Sequence, residues 1–244
     1  GVGGVAPTFP KSTYGKTPCA RQNNNYPSNS HSALNPTRGE ICGLVRFDRN
    51  DKLRLGIPVL NLGHASIAAT PIAELARPSM QDIATRHQGA VSLGARRGDG
   101  MIYLQRCQGS QIILKDMIVG SQVPILCSAT GWAYIAGLEQ AERKVLFNEL
   151  RRSDAKSFKE FIPKITHALT NYAQTGYVIN LGSLHPQINA VAVPVASEDR
   201  SILLSLSSGG IKQLFNAKKL KIVGEDLKKL ALHLGAALTA QTTT

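Results

Sequence analysis

The stretch Ala90-Val91-Ser92-Leu93-Gly94-Ala95-Arg96-Arg97-Gly98-Asp99-Gly100-Met101-Ile102-Tyr103-Leu104-Gln105 decides the fold. Ala90–Ala95 and Met101–Gln105 are short apolar runs, and Arg97-Gly98-Asp99-Gly100 between them carries the glycines of a tight turn, so the segment predicts a β-hairpin. A hairpin pairs its strands antiparallel, whereas a doubly wound nucleotide fold needs a helix after every strand. Downstream, strands are expected at Gln111–Lys115, Tyr177–Leu181, Asn189–Val195 and Ser201–Leu206. Helices are expected from Ser128 as cap to about Gly137, over Glu139–Leu150, and through Phe158, Phe161, Ile162, Ile165, Leu169 and Tyr172 up to Gly176. A final amphipathic helix carries Leu227, Leu230, Ala231, Leu234 and Leu238, with Glu225 and Asp226 complementing its N-terminal dipole. Hairpin-like strand pairs separated by helices describe an α+β domain, an antiparallel sheet covered by helices.

Upstream, Pro71–His87 reads as a helix, with Ile72, Leu75, Met80, Ile83 and Ala84 on one side; Pro78 within it predicts a kink or break. Pro58 to about Thr70 suggests a linking helix. Leu44-Val45-Arg46-Phe47, a turn at Asp48-Arg49-Asn50-Asp51, and Lys52-Leu53-Arg54-Leu55 read as a basic hairpin. Tyr14 to Gly43 is rich in Asn, Pro and Ser without apolar period, and reads as loop or disorder.

The 244 residues hold 28 Lys and Arg against 16 Asp and Glu, a net charge of +12, and 43% of the residues are hydrophobic. A soluble protein with a polyanionic partner fits this balance, nucleic acid before an anionic membrane surface. No apolar run approaches the roughly 20 residues that span a bilayer, and the beginning of the chain lacks a signal pattern, so cytoplasmic location is expected. The four cysteines form no C-x-x-C pair, no histidine stands at zinc-finger spacing from them, and free thiols with no metal are expected.

An enzyme is not expected. Gly1-Val2-Gly3-Gly4 has neither the strand nor the Gly-Lys that a phosphate loop requires. His31, His64, His87, His167, His185 and His233 are dispersed, and Ser128 and Ser183 lie outside any nucleophile elbow. No cofactor is implied. A binding pocket is the better expectation. In Gln122-Val123-Pro124-Ile125-Leu126-Cys127-Ser128-Ala129-Thr130-Gly131, small residues lead into a helix whose first amides favour an anion, although capping by Ser128 or Thr130 accounts for the same residues. Ser205 and Ser207 share one strand face, with Leu204 and Leu206 on the other. If helices cover both faces, those hydroxyls need partners or a ligand, and Asn180 on a neighbouring strand could join them.

With these motifs in place, the chain from about Gly56 to Leu238 resembles the IclR family of bacterial regulators. The resemblance is carried by Leu53-Arg54-Leu55-Gly56, Leu62-Gly63, Val123-Pro124-Ile125-Leu126-Cys127-Ser128-Ala129-Thr130-Gly131-Trp132-Ala133, Gly176-Tyr177, His185 through Val195, and Leu204-Ser205-Leu206-Ser207. It implies a winged helix-turn-helix head over 1–56, a linker helix over 57–70 and a GAF-like effector-binding domain with a central antiparallel sheet over 71–244. It further implies a homodimer or homotetramer that binds double-stranded operator DNA and a small organic or aromatic acid, as repressor or activator. Its effector pocket maps onto Ala129, Thr130, Asn180, Ala190, Ser205 and Ser207. Asn180 stands where an acidic residue is frequent, and Ala190 where some members have cysteine.

The resemblance makes Thr8-Phe9-Pro10-Lys11-Ser12-Thr13 the start of the recognition helix, with Pro10, Lys11, Ser12 and Thr13 at the DNA. Arg49 and Lys52 on the wing-like hairpin become phosphate contacts, a solvated turn being the other reading. Gly15 and Pro18 interrupt the helix expected after Thr13. The head is therefore expected to be degenerate or incomplete, and a sensor with a non-functional head is the alternative function.

Overall fold

Two strands that each bury one side need a partner surface on that side, and in this chain both sides of the sheet find one. The computed structural model describes residues 43–47, 53–59, 71–109 and 117–242. Its centre is a six-stranded sheet of β3 (Ala90–Arg97), β4 (Gly100–Gln108), β5 (Gln122–Pro124), β6 (Val178–Leu181), β7 (Ile188–Ala196) and β8 (Leu203–Ile211). The order is β5-β4-β3-β8-β7-β6, and every neighbouring pair is antiparallel. The first hairpin turns at Gly98, whose φ of 61° suits glycine. A separate pair, β1 (Val45–Phe47) and β2 (Leu53–Leu55), is antiparallel with Val45 opposite Leu55, as expected for the basic hairpin. The α+β architecture read from the sequence is the one observed.

One face of the sheet packs on α1 (Pro71–His87) and α5 (Ala217–Thr242). Ile72, Met80 and Ile83 of α1 meet Val91 and Leu93 of β3, Leu204 and Leu206 of β8, and Leu220, Leu227 and Leu234 of α5. Burying each such side chain contributes about 1.5–3 kcal/mol, which offsets the roughly 3 kcal/mol cost of a proline inside a helix. α1 accordingly continues through Pro78, so of the kink or break expected there the break does not occur. Leu75 differs from its expected place on the apolar side and is 56% exposed.

The opposite face carries α2 (Ala129–Gly137), backed by α3 (Gln140–Ser153) and α4 (Ala155–Thr175). α2 is apolar all round and buried at every residue but Tyr134, as befits a helix enclosed by other elements. Arg143 fastens its far end by donating to the carbonyls of Ile135, Ala136 and Leu138. α4 ends at Gly176, at φ 78°, where the sequence placed its stop.

Two expectations change. α5 begins at Ala217, so Glu225 and Asp226 lie well past its first turn and cannot serve its dipole. Asp226 instead binds α1: its carboxylate accepts from Arg86 at 2.9 Å and lies 2.7 Å from His87 Nε2. Cys107 is a buried free thiol, whereas Cys127 is disulfide-bonded, contrary to the expectation of free thiols. β5 was not expected from the sequence. The predicted helix over 58–70, apart from Pro58 and Val59, and the predicted strand over 111–115 lie outside the described residues.

Candidate functional site

The site is built where the first turn of α2 meets the sheet. Ser128 is the N-cap, and its hydroxyl accepts from the amide of Gly131 at 3.0 Å. Trp132 N–H bonds back to Ser128 O. The amides of Ala129 and Thr130 are left with no acceptor among the described residues, and they carry the positive end of the helix dipole. Gly131 lets this turn sit close to the loop before it: a Cβ there would lie 2.2 Å from Ile125 O.

Beside this turn lies a cavity of about 70 Å³, room for a small molecule rather than one water. Ala129 and Thr130 form one wall with Ser207 of β8 and Ala190 of β7. Ser92 of β3 and Tyr103 and Arg106 of β4 form another, and Met117, Leu184, Ile188 and Ile211 add apolar surface. The polar groups are joined. Thr130 Oγ1 donates to Ser207 Oγ at 2.9 Å, and Ser207 Oγ lies 3.5 Å from the carbonyl of Ser92. Arg106 Nη1 donates to Ser92 Oγ at 2.9 Å, with its guanidinium carbon 5.6 Å from the Tyr103 ring centre. Burial pushes the Tyr103 phenol up, against the charge of Arg106 and hydrogen bonds with Thr130 and Ser92, so it stays a neutral hydroxyl at neutral pH.

Of the effector residues named from the sequence, Ala129, Thr130, Ala190 and Ser207 come together at this cavity. Asn180 and Ser205 do not line it. Asn180 is buried beside β7, where its Nδ2 donates to Cys127 O and its Oδ1 accepts from Ser183 N–H, which spends both ends on backbone. Ser205 is fully buried two residues away on the same face of β8, and its hydroxyl has no partner among the described residues. Leu204 and Leu206 face the α1–α5 layer, as the alternation predicted. Pro10, Lys11, Ser12, Thr13, Arg49 and Lys52 lie outside the described residues.

Ser92, Tyr103 and Arg106 were not singled out from the sequence. Strict alternation puts residues 103 and 106 on opposite faces of a strand. Here the register steps from Leu93 opposite Gln105 to Gly94 opposite Tyr103, so Leu104 is a bulge. The extra residue inverts the phase: Met101 and Tyr103 face the α2 layer, whereas Gln105 and Cys107 turn to α1, and Arg106 therefore joins Tyr103. Gly94 marks the place, because a Cβ there would come within 3.0 Å of Thr130 Cγ2. That glycine within a strand was the available signal.

Among the described residues no group of three or more His, Cys, Asp or Glu side chains is placed to hold a metal. Nor is any helix among them long and apolar enough to cross a membrane. Residues 64–236 match the family described as bacterial transcriptional regulator IclR C-terminal. The chain belongs to the IclR family. The IclR relatives agree along most of its length. The HTH-type transcriptional regulator KipR of Bacillus subtilis (strain 168) is 22% identical over 196 residues, covering 80% of this chain and 78% of that protein. The crystal structure of an IclR family transcriptional regulator from Brucella abortus superposes with a TM-score of 0.76 at 27% identity, over 86% of this chain and 80% of the other. An IclR homolog from Microbacterium hydrocarbonoxydans, solved in complex with 4-hydroxybenzoate, shares the fold with a TM-score of 0.65 at 20% identity, over 87% and 86% of the two chains. The chain is thus an IclR-type transcriptional regulator, from a family of regulators and not of enzymes.

Proposed function

We propose that this regulator senses a small organic or aromatic acid in the cavity at the first turn of α2 and passes its occupancy to a DNA-reading head. The single observation that carries the reading is that Ala129 and Thr130, the first two residues of α2, line a cavity together with the hydroxyl residues Ser92, Tyr103 and Ser207 and with Arg106. Such a site favours an anion, and its lining among the described residues offers no nucleophile–base pair to break the guest's bonds. The 4-hydroxybenzoate complex of the Microbacterium hydrocarbonoxydans homolog supports an acid as the guest. Ala129, Thr130, Ala190 and Ser207 are its proposed contacts, with Asn180 and Ser205 supporting the strands behind them.

In this reading residues 1–56 form the winged helix-turn-helix head, 57–70 the linker and 71–244 the effector-binding domain. Pro10, Lys11, Ser12, Thr13, Arg49 and Lys52 meet double-stranded DNA, and the chain works in the cytoplasm as a homodimer or homotetramer. The acid prefers one arrangement of the assembly, so binding shifts the population toward it and changes the relation of two heads. Fluorescence anisotropy with a DNA fragment from the protein's own promoter region tests the proposal. Affinity should fall steeply with salt, with a log–log slope of about −0.9 per phosphate neutralised, and an acid should move the binding curve. A flat salt response, or acid that stabilises the protein without moving the curve, would leave a sensor whose head does not read DNA.

A further inference from the structure

β6 pairs Val178 with Ala192 at its start, yet β7 runs on beside β8 to Ala196. Ser197 N–H bonds to Ile202 O on the β8 side, so by alternation Ala192, Pro194 and Ala196 turn their backbone groups the other way. Pro194 has no N–H to give a strand there, and among the described residues none lies beside this end of β7. A groove of about 550 Å³ occupies the place, floored by Val193, Pro194 and Ala196. Tyr172 and Gly176 border it at the end of α4, and α5 lines it with Ala231, Leu232, Gly235 and Ala236. These α5 residues are small except Leu232, which is 76% exposed. Opposite charges mark the two ends. Lys228 lies over Gly176, where a Cβ would be 3.1 Å from Lys228 Cε. Glu198 sits at the Thr239 end, its N–H donating to Thr239 Oγ1 at 2.8 Å. From Lys228 to Thr239 the helix rises roughly 16 Å.

Resting on the self-assembly in the reading above, we infer that this groove is an interface with a second copy of the chain, each Leu232 entering the other copy's groove and each Lys228 meeting the other copy's Glu198. The charges choose the occupant. A two-fold axis across the middle of the groove reverses the second copy, which lays its carboxylate end on the ammonium end of the first, twice over. Leu232 stands between the ends, near the axis, and the small residues around it let two α5 helices approach closely. Glu198 has no ion pair among the described residues. Lys228 gives two hydrogen bonds to Glu225, which leaves the third donor of its ammonium for another acceptor. An added strand is barred by Pro194, and a polyanion is repelled by Glu198.

Sedimentation velocity of the full chain over a range of concentrations tests this. Leu232→Asp should weaken association at least a hundredfold, since symmetry removes two buried leucines, and should halve the size of the assembly. Lys228→Glu and Glu198→Lys should each weaken it about tenfold, because each reversal turns two attractive contacts repulsive. An equimolar mixture of these two variants should recover the affinity of the unaltered protein, because every contact in the mixed pair again joins opposite charges. That recovery requires both variants to be folded, so it decides the matter even where Leu232→Asp fails to fold. Association unchanged by Leu232→Asp overturns the inference, whether another segment of the chain or another protein fills the groove, and leaves self-assembly to a different surface. A mixture no tighter than its two components overturns it as well. An unaltered chain that stays monomeric at every concentration counts against both the interface and the assembly.

Discussion

Gly131→Ala sets two well-known effects against each other, and the structure decides their sign. In an exposed helix, replacing glycine by alanine stabilises by about 1 kcal/mol, because the alanine chain has less freedom to lose. At Gly131 the added Cβ would lie 2.2 Å from Ile125 O, 2.5 Å from Ile125 Cα and 2.7 Å from Ile125 C. All three are backbone atoms, and Ile125 is itself fully buried, so no side chain can rotate away. Relief requires α2 to lift from the loop that precedes it. Overpacking of this kind costs about 1–3 kcal/mol or more, and a backbone obstacle puts the site at the top of that range. Subtracting the helix gain leaves a net loss of about 2 kcal/mol, a melting temperature lower by roughly 4–8 °C for a chain of this size. Thermal melts followed by circular dichroism, with urea titrations alongside, measure it. A variant that melts at or above the temperature of the unaltered protein would refute the close approach, and with it the placement of the α2 start against the cavity.

Thr130→Val keeps the shape of the side chain but removes the donor to Ser207, and should cost about 1 kcal/mol in urea unfolding. Adding Ser207→Ala to it should cost much less than the sum of the two single changes, and additive losses would contradict the pairing. Asp154→Ala should cost about 1 kcal/mol, because the Asp154 carboxylate caps α4 by accepting from Ser157 N–H at 2.9 Å; a loss below 0.3 kcal/mol, as a rough limit, would speak against the cap. Burial alone would raise the Asp226 carboxyl, but the hydrogen bond with His87 and the charge of Arg86 outweigh it and hold the group below the usual carboxylate range. A carboxyl lowered on folding contributes stability that is complete above its unfolded value of about 3.9 and is lost as pH falls through the folded value. The deficit of Asp226→Asn against the unaltered protein should therefore be largest near neutrality and shrink on acidification below about pH 4. A deficit that stays constant with pH would contradict the assignment.

The fold was legible because its signals are local. The Gly98-Asp99 turn, the Ser128 cap and the Gly176 stop each fix one boundary by backbone chemistry, and all three stand where the sequence puts them. A kink or break was expected in α1 because Pro78 is a local signal too; the helix does not break, since local cost yields there to the packing of Met80 and Ile83. The acid side chains at 225 and 226 misled in the other direction, since a carboxylate marks a helix start only when nothing across the core claims it, and Arg86 and His87 claim Asp226. At the site, Ala129, Thr130 and Ser207 could be found from helix-start chemistry and strand alternation. Tyr103 and Arg106 could not, because one unpaired residue at Leu104 inverts the alternation on which that reading depends.

The most direct measurement is amide hydrogen exchange at the start of α2, with and without an acid that raises the melting temperature. The amides of Ala129 and Thr130 have no acceptor among the described residues, so their exchange rates report occupancy of the cavity without relying on any variant. Saturation with the acid should slow both, together with amides on the facing parts of β3 and β8. Binding that protects another surface and leaves Ala129 and Thr130 exchanging at their unliganded rates would contradict the account.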